Sequence, residues 1–358
     1  MVILHILEPF ASGVATAVSA IICELSDFEH IVIHGCRNWT ENTENVKKRF
    51  PANVSFIEWK YVDRNINLIK DWKALKELKT ILKAYIHKKI PFVVHLHSSK
   101  AGFLGRYACC LLGIKTVIYT PHGGAFLRTD ISLLKRKFFY FLEWLGSCFG
   151  GMVVGCGPSE GMLYKKMKKN TTYVSNGVAP KKENNTTDRN LITFVGIASQ
   201  QKAPDFWNVV TSVSAEFAKD KGFSFTWVGD GPKANELTCK HINLTGWASA
   251  KEVEELLEKT SIYFSTSAWE GLPFGVLEAM NCGCALLLRD VPGHRELVIP
   301  GENGWLFKTE KEAEEYLNMM VKDRSLLSAM GKRSLEIIQQ QYTLEQMGNG
   351  YKQIYSSF

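Results

Sequence analysis

The chain contains no run approaching the roughly eighteen apolar residues that a membrane span needs. Its opening, Met1-Val-Ile-Leu-His-Ile-Leu7, has neither a basic leader nor a small-residue cleavage site, so it reads as a strand rather than a signal peptide. The nine cysteines, among them Cys109-Cys110 and Cys282-Gly-Cys284, show no zinc spacing and too low a density for a disulfide scaffold. They are expected to be reduced, buried thiols of a cytoplasmic protein. The first strand leads into Ala11-Ser-Gly-Val-Ala15 rather than three spaced glycines, which argues against a dinucleotide-dependent oxidoreductase. Helix-turn-helix, zinc and RNA-binding motifs are also missing, which argues against a nucleic-acid partner. A composition of 46% hydrophobic and 22% charged residues argues against disorder.

At 358 residues the chain is long for one core and suits two domains. Its net charge of +7 is unevenly placed. Residues 1–180 hold 24 Lys/Arg against 13 Asp/Glu, and residues 181–358 hold 19 against 23. The basic half calls for an anionic partner, such as a membrane surface or a lipid pyrophosphate. Short β-branched runs alternate with amphipathic stretches, beginning with Val2 to Leu7 and Ile31 to His34 and continuing to Met152 to Val154. The polar stretch Lys181 to Asn190 interrupts the pattern, which restarts at Leu191 to Val195 and runs to Ala285 to Leu288. The expectation is two α/β domains, 1–180 and 191–342, each a doubly wound parallel sheet, joined by a linker at 181–190. Such sheets bind ligands at the carboxyl ends of their strands. The tail, 343–358, reads as an amphipathic helix with Met347, Tyr351, Ile354 and Tyr355 on one side.

Glu270-Gly-Leu-Pro-Phe-Gly-Val-Leu-Glu278 brackets a glycine-containing turn with two carboxylates, and an apolar helix follows. Gly271 and Gly275 let backbone approach a ligand, and the free N–H groups of a helix start attract phosphate or sugar oxygens. An ionised carboxylate accepts from both hydroxyls of a vicinal diol such as ribose. Taken singly, each acid is better read as ordinary, Glu278 as an acid in the first helical turn and Glu270 as a solvated loop charge. Together the two acids and the turn resemble the signature of retaining glycosyltransferases of family 4, whose fold is GT-B, two Rossmann-like domains facing a cleft. The resemblance implies that Glu278 binds the nucleotide ribose and Glu270 contacts the donor sugar. It further implies that the amides of Gly271, Leu272, Pro273, Phe274 and Gly275 border the sugar and diphosphate.

The same resemblance extends in order along most of the second half. Val195-Gly196-Ile-Ala-Ser-Gln-Gln-Lys202 follows a strand, and the likeness makes Lys202 the cation at the leaving diphosphate. The family carries an arginine just after that glycine, where this chain has Ile197, so Arg289 and Arg295 become candidate substitutes. Gly229-Asp230 and Gly246-Trp247 resemble loops around the base, and Val291-Pro-Gly-His-Arg-Glu296 also matches in spacing. In the first half, Tyr119-Thr-Pro-His122-Gly-Gly resembles a loop whose histidine reaches the donor sugar, and Ser12-Gly13 resembles a glycine-rich acceptor loop. His95-Leu-His97 places two imidazoles on one strand face, without a third metal ligand at a convincing spacing. His97 is therefore assigned to the acceptor side, and the resemblance implies no obligatory metal or other cofactor.

The expected activity is transfer of a sugar from a nucleoside diphosphate sugar, with retention, to a hydroxyl of a growing, lipid-linked glycan in surface polysaccharide biosynthesis. Lys202, Glu270 and His122 would carry the chemistry. Ser132 to Leu145, a basic and aromatic helical stretch, reads either as a face docking on an anionic inner leaflet or as an ordinary helix burying its aromatics. Two other classes stay open: a GT-B nucleotide-sugar epimerase, and a catalytically impaired GT-B partner protein, which Ile197 suggests.

Overall fold

The computed structural model describes residues 1–36, 42–168, 170–181 and 189–358, and the chain divides into two compact units. The first comprises Met1–Leu127, Ile131–Asn176 and Leu344–Phe358; the second comprises Arg128–Asp130 and Gly177–Thr343. The first unit thus breaks at Asn176 rather than at residue 180. Lys181 belongs to the second unit, its N–H donating to Asn281 Oδ1 at 2.9 Å and its ammonium pairing with Glu254 and Glu258. Residues 182–188 of the expected linker lie outside the described residues.

In the first unit the elements run β1 (Val2–Leu7), α1 (Ser12–Glu24), β2 (Glu29–His34), α2 (Thr43–Lys47), β3 (Ser55–Glu58), α3 (Leu68–His87) and β4 (Phe92–His97). They continue with α4 (Ser98–Leu112), β5 (Val117–Thr120), α5 (Leu133–Cys148), β6 (Met152–Gly155), α6 (Pro158–Lys165) and β7 (Thr171–Tyr173). The sheet order is β3-β2-β1-β4-β5-β6-β7, with parallel pairs throughout. Helices cover both faces, so the central strands are apolar at nearly every position, as in the fully buried β1. Val2, Leu4 and Ile6 pack with Ala74, Leu78 and Leu82 of α3 and Ala101 and Leu104 of α4. Alternation turns Ile3 to the other face, where Ile21 of α1 packs together with Met347, Tyr351 and Tyr355. Those three residues belong to the terminal helix, which therefore builds the first unit's core from the far end of the chain. Asn67 caps α3 by accepting from the Lys70 N–H, and Gly113, at φ +70, ends α4.

The second unit runs β8 (Leu191–Val195), α7 (Pro204–Asp220), β9 (Ser224–Val228), β10 (Ile242–Leu244), α8 (Ala250–Glu258), β11 (Thr260–Ser265) and α9 (Phe274–Asn281). There follow β12 (Ala285–Arg289), β13 (Gly304–Phe307), α10 (Glu310–Met320) and α11 (Arg324–Gln341); the terminal helix of the first unit is α12 (Leu344–Ser356). The order is β10-β9-β8-β11-β12-β13, again parallel. Trp207 of α7 lies in an aromatic core with Phe194, Phe225, Trp227 and Phe264, and its indole N–H donates to Phe264 O at 3.1 Å. Both sheets reverse their winding once, between β1 and β4 and between β8 and β11. In doubly wound sheets such switch points open the crevice that takes the ligand.

Candidate active site

The carboxyl ends of β8 and β11 carry most of the residues expected to hold the donor. After β8, Gly196 enters a loop that is laid against the loop after β9: Gly196 N–H donates to Val228 O at 2.9 Å and Ala198 N–H to Asp230 O at 3.0 Å. A Cβ at Gly229 would stand 2.3 Å from Gly196 O, and φ there is +128°, so only glycine permits the approach. Gly229 also bridges Gly246, which has φ +71. These glycines serve first to bring three loop backbones together, which sequence alone had credited to the ligand. Trp247 beside them is 55% exposed.

Ala203, at φ +48, turns the chain into α7 and sets Lys202 at the sheet's edge. The Lys202 ammonium pairs with Glu270 Oε1, and the neighbouring Gln201 amide donates to Trp269 O at 2.8 Å and to Glu270 Oε2 at 3.3 Å. Glu270 is buried, so the solvated-charge reading of this residue is incorrect. The expected turn is shorter than its two glycines suggested, because α9 already begins at Phe274 with Pro273 as its cap. Gly275 lies in the first helical turn, where a Cβ would meet the Tyr263 hydroxyl at 2.8 Å. Glu278 falls in the second turn of α9, beyond the N-terminal groups an acid would complement, so the helix-dipole reading of it also fails. Leu272 and Phe274 are buried and Gly271 packs against Gly293, so this segment presents backbone more than side chain. Tyr263 stands behind it, its hydroxyl donating to Val195 O at 3.2 Å; burial and the nearby Glu278 and Glu270 carboxylates push its ionisation far up, which keeps it neutral.

His294 lies in the 291–296 segment that matches in spacing, but spacing alone assigns it no role of its own. It is fully buried, its Nδ1–H donates to Arg289 O at 2.8 Å, and Nε2 has no partner among the described residues. Burial pulls its pKa down to about 4, against the opposing pull of Glu270. It is therefore a neutral ring with a bare acceptor nitrogen in the field of Glu270. Of the two candidate substitutes for the missing arginine, Arg295 is held by Asp290, and Arg289 lies 4.9 Å from the centre of the Phe206 ring.

In the first unit three non-glycine residues with left-handed backbone follow directly on or near strand ends: Ser12 after β1, Ser98 after β4 and His122 after β5, at φ +48, +72 and +55. Such conformations cost free energy and collect where function over-determines the backbone. Ser12 and Gly13 are exposed at the start of α1. The His122 loop is held by Glu160, a buried carboxylate accepting from Gly123 N–H at 2.7 Å and Cys156 N–H at 2.9 Å. His122 Nε2 lies 3.0 Å from His97 Nδ1, so these two expected residues are joined. The sequence reading placed no third imidazole beside His95 and His97. Register corrects this: β1 pairs His5 with His95, so His5, His95 and His97 share one buried face. All six nitrogens of these rings already have hydrogen-bond partners in His30, Thr120, Tyr355, His122 and one another, an arrangement that leaves no lone pair directed at an ion.

Residues 177–336 match the family described as Glycosyl transferases group 1. The second unit carries that family's domain, and the chain is a glycosyltransferase. It is 28% identical over 297 residues to the UDP-Gal:alpha-D-GlcNAc-diphosphoundecaprenol alpha-1,3-galactosyltransferase of Escherichia coli, which covers 75% of each protein. Its fold is similar to that of sucrose-phosphate synthase from Thermosynechococcus elongatus (TM-score 0.77, 17% identity, all of both chains). It is similar as well to Anabaena Alr3699/HepE in complex with UDP and glucose (TM-score 0.78, 14% identity, 99% of both chains). The two sheets and their flanking helices thus have the GT-B fold.

Proposed function

We propose that this glycosyltransferase transfers a hexosyl group from a UDP-sugar to a hydroxyl of a lipid-linked glycan, with retention at the anomeric carbon, in surface polysaccharide synthesis. The observation that carries the proposal is the joining of Lys202 and Glu270 at the β8/β11 switch point, with the backbone turn from Gly271 and Glu278 on the adjoining helix. Lys202 and the helix-start amides stabilise the departing UDP, an electrostatic role that needs no metal or other cofactor. Glu278 takes the ribose diol, Trp247 lies against the base, and Glu270 and His122 orient the sugar. Asp230 and the glycine-paired loops border the nucleotide, and Ser12 and Gly13 border the acceptor; His97, expected on the acceptor side, is instead fully buried behind His122. The E. coli relative supports a diphosphoundecaprenol-type acceptor, and HepE supports UDP as the nucleotide.

We place the protein at an anionic membrane surface from the cytoplasmic side. On α5 the aromatics are not buried: Leu134 is 77% exposed, and Phe138, Phe141 and Trp144 are each close to half exposed among Lys135, Arg136 and Lys137. Leu68, Ile69 and Trp72 stand out in the same way at the start of α3. No helix among the described residues is long and apolar enough to cross a membrane, so attachment would be peripheral. A UDP-sugar panel screened by thermal shift, followed by transfer to a synthetic lipid diphosphate sugar in EDTA, tests the whole reading. The expected result is one stabilising donor and a product with retained anomeric configuration by NMR; an inverted product, or turnover abolished by EDTA, would refute it.

A further inference from the structure

Four imidazoles of the first unit form a head-to-tail chain that ends at His122. His30 Nε2 is 2.8 Å from Leu25 O; His5 Nε2 is 3.1 Å from His30 Nδ1; His97 Nε2 is 3.1 Å from His5 Nδ1; His122 Nε2 is 3.0 Å from His97 Nδ1. Successive rings are 5.3, 5.4 and 5.3 Å apart and nearly stacked. The sheet makes this possible: register sets His30 beside Ile3, His5 beside His95 and His97 beside Leu7, all on the face beneath α1 and α12.

A backbone carbonyl only accepts, so His30 must carry its proton on Nε2. A neutral imidazole has one N–H, which makes His30 Nδ1 an acceptor and requires His5 to donate from Nε2. The same step repeats at His97 and at His122. One carbonyl, Leu25 O, therefore sets the tautomer of all four rings. Burial lowers the pKa of each ring, which keeps the chain neutral near pH 7 and its polarity defined.

We infer that His30, His5 and His97 are positioning residues that fix His122 as the Nε2–H tautomer and present its bare Nδ1 to a substrate hydroxyl. This rests on the proposed contact between His122 and the sugar. The chemistry is selective: a bare lone pair accepts from an O–H, has nothing to donate, and is repelled by a carboxylate or phosphate oxygen. The left-handed backbone of His122 and the Glu160 bond to Gly123 hold the ring's base, and His97 holds its far edge, so ring rotation is opposed at both ends.

The test has two arms on the full chain. In ¹⁵N-histidine-labelled protein at neutral pH, two-bond ¹H–¹⁵N correlations should show protonated Nε2 and unprotonated Nδ1 for His30, His5, His97 and His122. A His122 that is charged, Nδ1-protonated or averaged between tautomers overturns the chain, and leaves donor binding by the second unit standing. In the kinetic arm, His97→Phe removes the acceptor for His122 Nε2–H and should lower kcat by about tenfold or more, with KM for the donor nearly unchanged. His97→Asn, whose Oδ1 can stand where Nδ1 stood, should recover most of that loss. Equal losses in both variants, or parent-like rates in both, overturn the positioning role. A parent-like His122→Phe overturns the hydroxyl contact, and with it His122's place in the proposed reaction, even where the tautomers are as stated. Because the first arm uses the unaltered protein, a variant that fails to fold leaves the inference open to refutation.

Discussion

Replacing Lys202 by Met should separate what the Lys202–Glu270 pair does for stability from what it does for turnover. The lysine side chain is 21% exposed and the glutamate 7%, so the pair is largely but not fully removed from water. Two unit charges in contact attract by roughly 4 kcal/mol at an effective dielectric of about 20, most of it offset by desolvation. Removing the lysine alone leaves the Glu270 carboxylate with the Gln201 amide at 3.3 Å, a weak substitute, and should cost about 3 kcal/mol. In a unit of this size that lowers Tm by about 6–12 °C. Removing one cation from a developing diphosphate charge costs a further 2–4 kcal/mol in the transition state, or about 30- to 1,000-fold in kcat. Glu270→Gln in the Lys202→Met background abolishes the stranded charge, so the double variant should regain most of the lost Tm and none of the lost turnover. Calorimetric melts and single-turnover rates on the four proteins decide it. If the double variant recovered turnover together with Tm, Lys202 would be a structural lysine and the leaving-group assignment would be wrong.

Glu278→Ala should weaken UDP binding by about 10- to 100-fold in titration calorimetry, the loss expected of hydrogen bonds to a charged acceptor, while kcat at saturating donor changes less. Acid should destabilise the fold through its buried imidazoles. His34, His122 and His294 are held to about 4, whereas the unfolded rings titrate near 6.5, so the unfolded state binds more protons between those values. Stability from these rings is full above about pH 6.5 and falls as pH drops toward 4, by up to about 1.4 kcal/mol per pH unit for each ring; a Tm flat from pH 7.5 to 4.5 would contradict their burial as neutral groups. Flotation with anionic liposomes should recover the protein at low salt and release it at high salt, and Leu134→Glu with Phe138→Glu should abolish recovery; equal recovery of parent and variant would remove α5 as the docking face.

The fold was legible because parallel sheets covered on both faces concentrate apolar residues into short runs separated by amphipathic helices, as in Val2 to Leu7 and α3. The edge strands β7, β10 and β13 have only three or four residues, and at a sheet edge half the surface is exposed and the apolar signal is weak. Glycines were visible, but their purpose was not: Gly229 is required by the carbonyl of Gly196, thirty-odd residues away in sequence, and only register reveals that contact. The same limit hid the histidine chain. His5, His30 and His97 come from three strands, and nothing in their spacing states that the sheet order is β2-β1-β4. Likewise His294 reads as one more polar residue in a loop until its ring is seen buried with an unpartnered nitrogen.

Ile197 brings the strongest local departure from the family pattern to a definite outcome. Gly231 has no side chain, and the space beside it is taken by Ile197 Cγ2, 2.8 Å from where a Cβ would stand. The isoleucine therefore packs on the β9 loop at the edge of the donor site, partly exposed, where the resembled family directs a guanidinium at the diphosphate. Neither arginine considered as a substitute is unengaged: Arg295 pairs with Asp290, and Arg289 lies over Phe206 while donating to Thr266 O at 3.4 Å. If Lys202 carries the leaving-group charge with the helix-start amides, restoring the second cation should help the transition state more than the ground state. Ile197→Arg should then raise kcat by about tenfold, less than the full effect of a native group because its supporting contacts are not built for it. The same variant should leave Tm within a few degrees, since the position is not fully buried. Burst and steady-state rates with the identified donor provide the measurement. An unchanged or lower kcat in a folded Ile197→Arg protein would mean that the diphosphate charge is already balanced, and that the isoleucine marks a different leaving-group arrangement rather than a weakened one.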